Sequence, residues 1–247
     1  MFAQPTKKYI KCLVSAAAVL TLVGRRTIMQ RCWIRVLLAV SLILSAAVTI
    51  PLDARAQRDV AAGRDGQTLT EFVGKINQNG PDFTLIGSLT RIKGLDEASL
   101  FAGGDAAARS EKSARFPVKA ETTLTSRNTV DNLFNVDAKG KLNVFFDETP
   151  SSDFSNPGSF SNGTLIATFN ITVQNVINVI APAQGVYTTW GVLEQTSAKQ
   201  FRLGGKRFRF GHKNQSVRIF AAGQGTLLDA DIPISVHSIT GNTISLE

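Results

Sequence analysis

Between Thr164 and Val173 the chain alternates strictly. Leu165, Ala167, Phe169, Ile171 and Val173 interleave with Thr164, Ile166, Thr168, Asn170 and Thr172. Successive side chains of an extended strand point to opposite faces, so this period of two fits a β-strand with one buried face and one mostly polar face. The same period recurs in Leu142, Val144 and Phe146 against Asn143 and Phe145, and in Phe83, Leu85 and Gly87 against Thr84, Ile86 and Ser88. Thr, Val, Ile and Phe dominate these windows, as half-buried pleated strands prefer. The body contains no long helical period, which argues against a doubly wound α/β fold.

Glycine-containing breaks separate the windows. Gly204-Gly205 divides Phe201–Leu203 from Lys206–Phe210, Asp137-Ala138-Lys139-Gly140 divides Leu133–Val136 from Leu142–Phe146, and Gly241-Asn242 divides Ile232–Thr240 from Thr243–Leu246. Each is expected to be a tight turn. At Gly204-Gly205 a two-residue turn pairs Leu203 with Lys206, Arg202 with Arg207 and Phe201 with Phe208. Phe201, Leu203, Phe208 and Phe210 then share one face, and Arg202, Arg207 and Arg209 the other.

Two stretches lack strand character. Residues 95–115 are rich in Ala and charge, with short helical turns expected at 96–101 and 105–112 on either side of Gly103-Gly104; residues 149–163 are rich in Ser, Asn, Pro and Gly. Both read as long loops on a β scaffold. The fold expected is all-β: an antiparallel barrel of roughly eight to ten strands, with a two-sheet sandwich as the alternative. Long strands and the thin distribution of edge-protecting prolines favour the barrel. Residues 68–247 form the single β domain, and the polar segment 57–67 reads as a flexible lead-in.

The N-terminal region has a different character. From Met29, a short basic segment is followed by the uncharged run Val36 to Ile50 and then Ala54-Arg55-Ala56, a small-x-small site. This is the pattern of a secretory signal with cleavage before Gln57, and it implies a secreted or periplasmic, bacterial-type protein. The apolar run is short for a membrane span, which needs about 20 residues. Met29 alone yields a complete signal, so residues 1–28 read as an over-extended start; two short membrane segments around Arg25-Arg26 are the competing reading. No stable span is expected after cleavage.

That region also explains the charge. Eight of the 27 basic residues and one of the 19 acids lie in residues 1–56, which leaves 19 basic and 18 acidic groups beyond it. A generally basic, nucleic-acid-binding body is thereby excluded. Both cysteines, Cys12 and Cys32, fall in the same region, so the body has no thiol for a disulfide, a zinc site or a nucleophile.

Candidate chemistry in the body is sparse. Seven cations (Lys199, Arg202, Lys206, Arg207, Arg209, Lys213 and Arg218) fall in a stretch with no acid between Glu194 and Asp229. They read either as an anion contact or as a solvated face paired with acids of a neighbouring strand. His212 and His237 lack metal-ligand spacing. Asp96-Glu97, Asp147-Glu148 with Asp153, and Asp229 with Asp231 read as loop solvation or turn chemistry. Gly223-Gln224-Gly225 follows no helix-opening pattern and reads as a turn or bulge. Nucleophile-elbow and phosphate-loop motifs are absent from the sequence. Tyr187 and Trp190, the only Tyr and Trp beyond residue 56, face opposite ways on one strand, with Trp190 expected in the core.

Three functions fit this composition. The first is non-enzymatic binding of an apolar or amphiphilic small molecule, with no cofactor. Here 14 of the 15 phenylalanines lie in the body and supply more core than a small solid barrel needs. The ligand-binding candidates are Trp190, Tyr187, Arg207, Arg209, His212 and Arg218, with Trp190 lining the interior and Arg207 or Arg209 meeting an anionic group at the mouth. The second is an isomerase, cyclase or hydrolase with His212 or His237 facing a pocket near a carboxylate. The third is a surface or matrix protein that works by association through an exposed apolar patch or open edge.

Overall fold

The computed structural model describes residues 57–246 apart from Gly104; the expected export signal lies outside the described residues. Eleven strands follow in chain order: β1 (Arg58–Val60), β2 (Thr68–Asn79), β3 (Asp82–Ile92), β4 (Pro117–Val130), β5 (Leu133–Phe146), β6 (Thr164–Ala181), β7 (Gln184–Ala198), β8 (Gln200–Leu203), β9 (Lys206–Phe210), β10 (Ser216–Asp229) and β11 (Ile234–Ser245). Eight of them, in the order β10-β11-β2-β3-β4-β5-β6-β7, close into an antiparallel barrel. Closure pairs every barrel strand on both sides and leaves the barrel itself without a sheet edge.

The alternation sets the two faces of the wall. Along β6, Phe169, Ile171 and Val173 are buried in the barrel while Asn170 and Thr172 are exposed. Along β5, Val136, Ala138 and Val144 point in, and the outward positions are Asn135, Asp137, Lys139, Lys141 and Asn143. From Asn135 to Asn143 the outward face of β5 is therefore wholly polar or charged. No helix among the described residues is long and apolar enough to cross a membrane.

Two expected turns are strand interiors instead. Asp137–Gly140 lies within the unbroken β5, and Gly241-Asn242 within β11. At both places the small residues face inward. A β-carbon on Gly140 would run into the Glu121 carbonyl, and one on Gly241 would meet the Phe220 carbonyl and the Phe72 ring. The glycines there relieve crowding inside a narrow barrel and do not reverse the chain.

The Gly204-Gly205 hairpin forms in the expected register, with Leu203 opposite Lys206, Arg202 opposite Arg207 and Phe201 opposite Phe208. Both glycines have positive φ (56° and 77°), as a two-residue turn of this hand requires. This hairpin stands outside the barrel. With β1, which runs parallel to β9, it forms a three-stranded sheet. The segment read as a lead-in thus supplies β1, and Val60 and Ala61 are buried. Three apolar-poor residues carry no legible period of their own; pairing with β9 makes the strand.

This small sheet caps one end of the barrel. Phe208 stacks on Phe201, Phe201 packs with Phe116 and Phe146, and Phe210 meets Phe169 edge-on. Each buried ring contributes about 1.5–3 kcal/mol. Polar stitches fix the cap: Gln195 Nε2 donates to the Phe210 carbonyl at 2.7 Å, and Gln215 Nε2 donates to the Ala61 carbonyl at 3.0 Å. The long connections 93–116 and 147–163 lie at this same end. They contain short 3-10 turns at Glu97–Leu100, Ala106–Ala108 and Pro157–Ser161. The opposite end carries the four hairpin tips, after Asn79, Val130, Ala181 and Asp229, and has no covering sheet.

Candidate functional site

The two ends of the barrel are filled differently. Near the cap only a void of about 60 Å³ remains among Phe72, Leu89, Val144, Phe169, Leu193 and Ile219. At the hairpin end a cavity of about 500 Å³ opens, and all eight barrel strands contribute to its wall. This volume is within the usual small-molecule range of ~300–1,000 Å³. Its apolar lining includes Phe83, Leu124, Phe134, Val136, Ile177 and Val179. Exposed apolar side chains ring its rim: Val130 and Leu133 on one hairpin, Val179 and Ile180 on the next, Leu227, Leu228 and Ile232 on the last.

One polar chain enters this apolar wall, and its hydrogen positions can be deduced. Gln78 Nε2 donates to the Gly80 carbonyl at 2.9 Å, which turns Gln78 Oε1 toward Ser235. Ser235 Oγ donates its single proton to Gln78 Oε1 at 2.8 Å. His237 Nε2, 2.7 Å from the same Oγ, must then carry the proton and donate it. Burial pushes the His237 pKa below its ordinary value, so the ring is neutral near pH 7. It meets Tyr187 edge-on, with ring centroids 5.3 Å apart.

Gly223 and Gly225 make room for these two rings. Both are inward positions in the middle of β10, not a turn or bulge as expected. A β-carbon on Gly225 would overlap His237 Nδ1, and one on Gly223 would meet the Tyr187 hydroxyl and the Ser238 carbonyl. Tyr187 crosses over Gly223 and donates from its hydroxyl to the Ser238 carbonyl at 2.8 Å, which ties β7 to β11 across the intervening strand. Burial raises the Tyr187 pKa well above the usual phenol value.

The six residues singled out from the sequence do not form one site. Tyr187 lies inside, beneath the cavity. Trp190 stands on the outer wall, 39% exposed, opposite Phe220 of β10. The core expectation for Trp190 failed because β7 mixes its faces: Thr189 and Gln195 point inward while Val186, Trp190 and Val192 point outward. Hydrophobicity alone therefore gives the wrong phase. Arg207, Arg209 and His212 are at the cap end, away from the open mouth. Arg209 grips Asp59 with two bonds, Nε to Oδ1 at 3.0 Å and Nη2 to Oδ2 at 2.7 Å. Partial burial works against the Asp59 charge, but the hydrogen bonds from Arg209 and Gln57 outweigh it and hold the carboxyl below its usual range. Arg209 is thus paired with an acid of a neighbouring strand. The His212 backbone N–H donates to Gln215 Oε1 at 3.1 Å within the cap. Arg218 projects outward from β10, opposite Val192.

Sequence reasoning missed Arg127. In β4 the inward positions run Val118, Ala120, Thr122 and Leu124, so strict alternation would place Arg127 outside. A bulge intervenes: Leu124 pairs with Ala138, Ser126 with Asp137 and Arg127 with Val136, which leaves Thr125 as the extra residue. One extra residue exchanges the faces of everything beyond it. Arg127 therefore joins Val136 on the lumen side and lines the cavity, its guanidinium carbon 4.8 Å from the Phe134 ring centroid.

The carboxylates act locally. Asp147 Oδ1 accepts from the Thr149 N–H and Asp229 Oδ1 from the Asp231 N–H, both turn contacts, and Glu97 pairs with Arg109. No carboxylate is among the residues lining the cavity, and no cluster of three metal-ligating side chains occurs among the described residues. The chain matches no protein-family model, no curated protein and no solved structure.

Proposed function

We propose that this protein, exported on its N-terminal signal, binds an apolar or amphiphilic small molecule in the hairpin-end lumen and performs no chemistry on it. The observation that carries this reading is the asymmetry of the barrel: a packed, capped end and an open cavity of about 500 Å³ with an apolar rim. Burying apolar surface of a ligand there gains about 25 cal/mol per Å². The proton order in Gln78–Ser235–His237 supports binding over catalysis. Ser235 gives its proton to an amide and receives one from His237, the reverse of what a base-activated nucleophile needs.

Titration with the neutral fluorophore N-phenyl-1-naphthylamine tests the reading. The wild type gives saturable enhancement. Ile177→Trp, which fills the lumen, weakens binding by about tenfold or more while the far-ultraviolet spectrum is retained. Equal binding by both proteins would overturn it.

A second reading, association, is favoured by the outer wall, where Trp190, Phe220, Val186 and Val192 form an exposed apolar face on β7 and β10. It requires a concentration-dependent oligomer in light scattering that Trp190→Asp dissolves. A monomer at every concentration removes it.

A further inference from the structure

We infer that the lumen selects amphiphiles carrying a single carboxylate, and that Arg127 is the residue that reads the head group. The inference rests on the binding function proposed above and names its ligand class.

Three observations carry it. First, Arg127 is the only charged side chain among the described residues lining the cavity; the other polar groups there, Gln78, Gln184, Ser235 and neutral His237, balance no charge. Second, its inward aim depends on the bulge at Thr125: without the extra residue, strict alternation would put Arg127 on the outer face and Ser126 on the lumen side. Third, the guanidinium has no carboxylate among its ion pairs in the described residues. Its contact is the Phe134 ring, which holds it over an apolar surface. Arg127 stays exposed at the open mouth, and a cation set there beside apolar side chains without an acid can take an anion from a ligand, its guanidinium fork matching the two oxygens of a carboxylate. One fork and no neighbouring cation suit a head with one charge. The apolar body of such a ligand would lie against Phe83, Leu124, Val136 and Ile177.

Asp82, Asp131, Asp229 and Asp231 stand at or beside the hairpin tips, and none of them is among the residues lining the cavity. A cationic amphiphile would place its charge beside Arg127, where like charges repel.

The test is displacement of N-phenyl-1-naphthylamine by dodecanoate, methyl dodecanoate and dodecyltrimethylammonium, all below their micellar concentrations. Dodecanoate is expected to compete about tenfold better than the ester, and the ammonium worse than either. Arg127→Gln erases the acid-over-ester preference, Arg127→Lys retains part of it, and Arg218→Gln on the outer wall leaves it intact. Equal competition by acid and ester in the wild type, or a preference that survives Arg127→Gln, would overturn the inference while leaving the lumen reading in place. If the fluorophore itself fails to bind the wild type, the lumen reading falls and this inference falls with it.

Discussion

Replacing Gly225 by Ala should destabilise the protein, and removing His237 should reverse the sign of that effect. The backbone at Gly225 has no positive φ, so alanine is conformationally admissible there. What it meets is the imidazole: the three nearest heavy atoms to its β-carbon are Nδ1, Cε1 and Cγ of His237. Overpacking of this kind costs about 1–3 kcal/mol. Moving the ring away also breaks the Nε2–H to Ser235 Oγ bond, a further ~0.5–1.5 kcal/mol. Against this, alanine is favoured over glycine within a strand by about 0.5–1 kcal/mol. The balance is a loss of roughly 2 kcal/mol, which lowers the melting temperature of a domain this size by about 4–8 °C. In a His237→Ala background the steric and hydrogen-bond terms vanish and only the backbone gain remains. Gly225→Ala then becomes neutral or stabilising by up to ~1 kcal/mol. Urea melts of the wild type, both single variants and the double variant complete the cycle. If Gly225→Ala costs the same with and without His237, the ring is not what the glycine accommodates, and the account of the polar chain fails.

Two further outcomes follow from the same geometry. Tyr187 has its pKa raised on folding, so the unfolded chain loses its phenol proton at lower pH than the native state does. Stability is therefore full below pH ~10 and declines as pH rises beyond it, and Tyr187→Phe should flatten that alkaline decline in urea melts taken from pH 8 to 11. Phe208→Ala opens a hole in the Phe116–Phe146–Phe201–Phe208 cluster and should cost about 3–5 kcal/mol by thermal or chemical denaturation, loosening the cap before the barrel.

Much of the architecture was legible along the chain. From Ala167 to Val173 the period of two in β6 gave the correct faces, because Thr168, Asn170 and Thr172 are polar and the residues between them apolar; Ile166, read onto the polar face, is fully buried at a register shift. The double glycine after Leu203 fixed both turn and register because only positive φ at two successive residues closes a hairpin of that length. The local signal was misleading wherever glycine served space and not curvature. Gly140, Gly223, Gly225 and Gly241 face into the barrel, where the limiting quantity is volume between strands distant in sequence. Trp190 was misplaced for a related reason: β7 carries apolar residues outward, and which face meets the lumen is settled by its neighbours β6 and β10.

What the chain dictates alone, then, is pleated antiparallel structure, the tip of the capping hairpin and the absence of cysteine chemistry beyond residue 56, since all depend on residue type and near-neighbour spacing. Closure decided the rest. It left one end packed beneath a cap that draws in β1 and the other end open. Through one unpaired residue at Thr125, it also turned Arg127 from the solvent face to the lumen. A bulge is a mismatch between two strands, so it has no existence until both are paired.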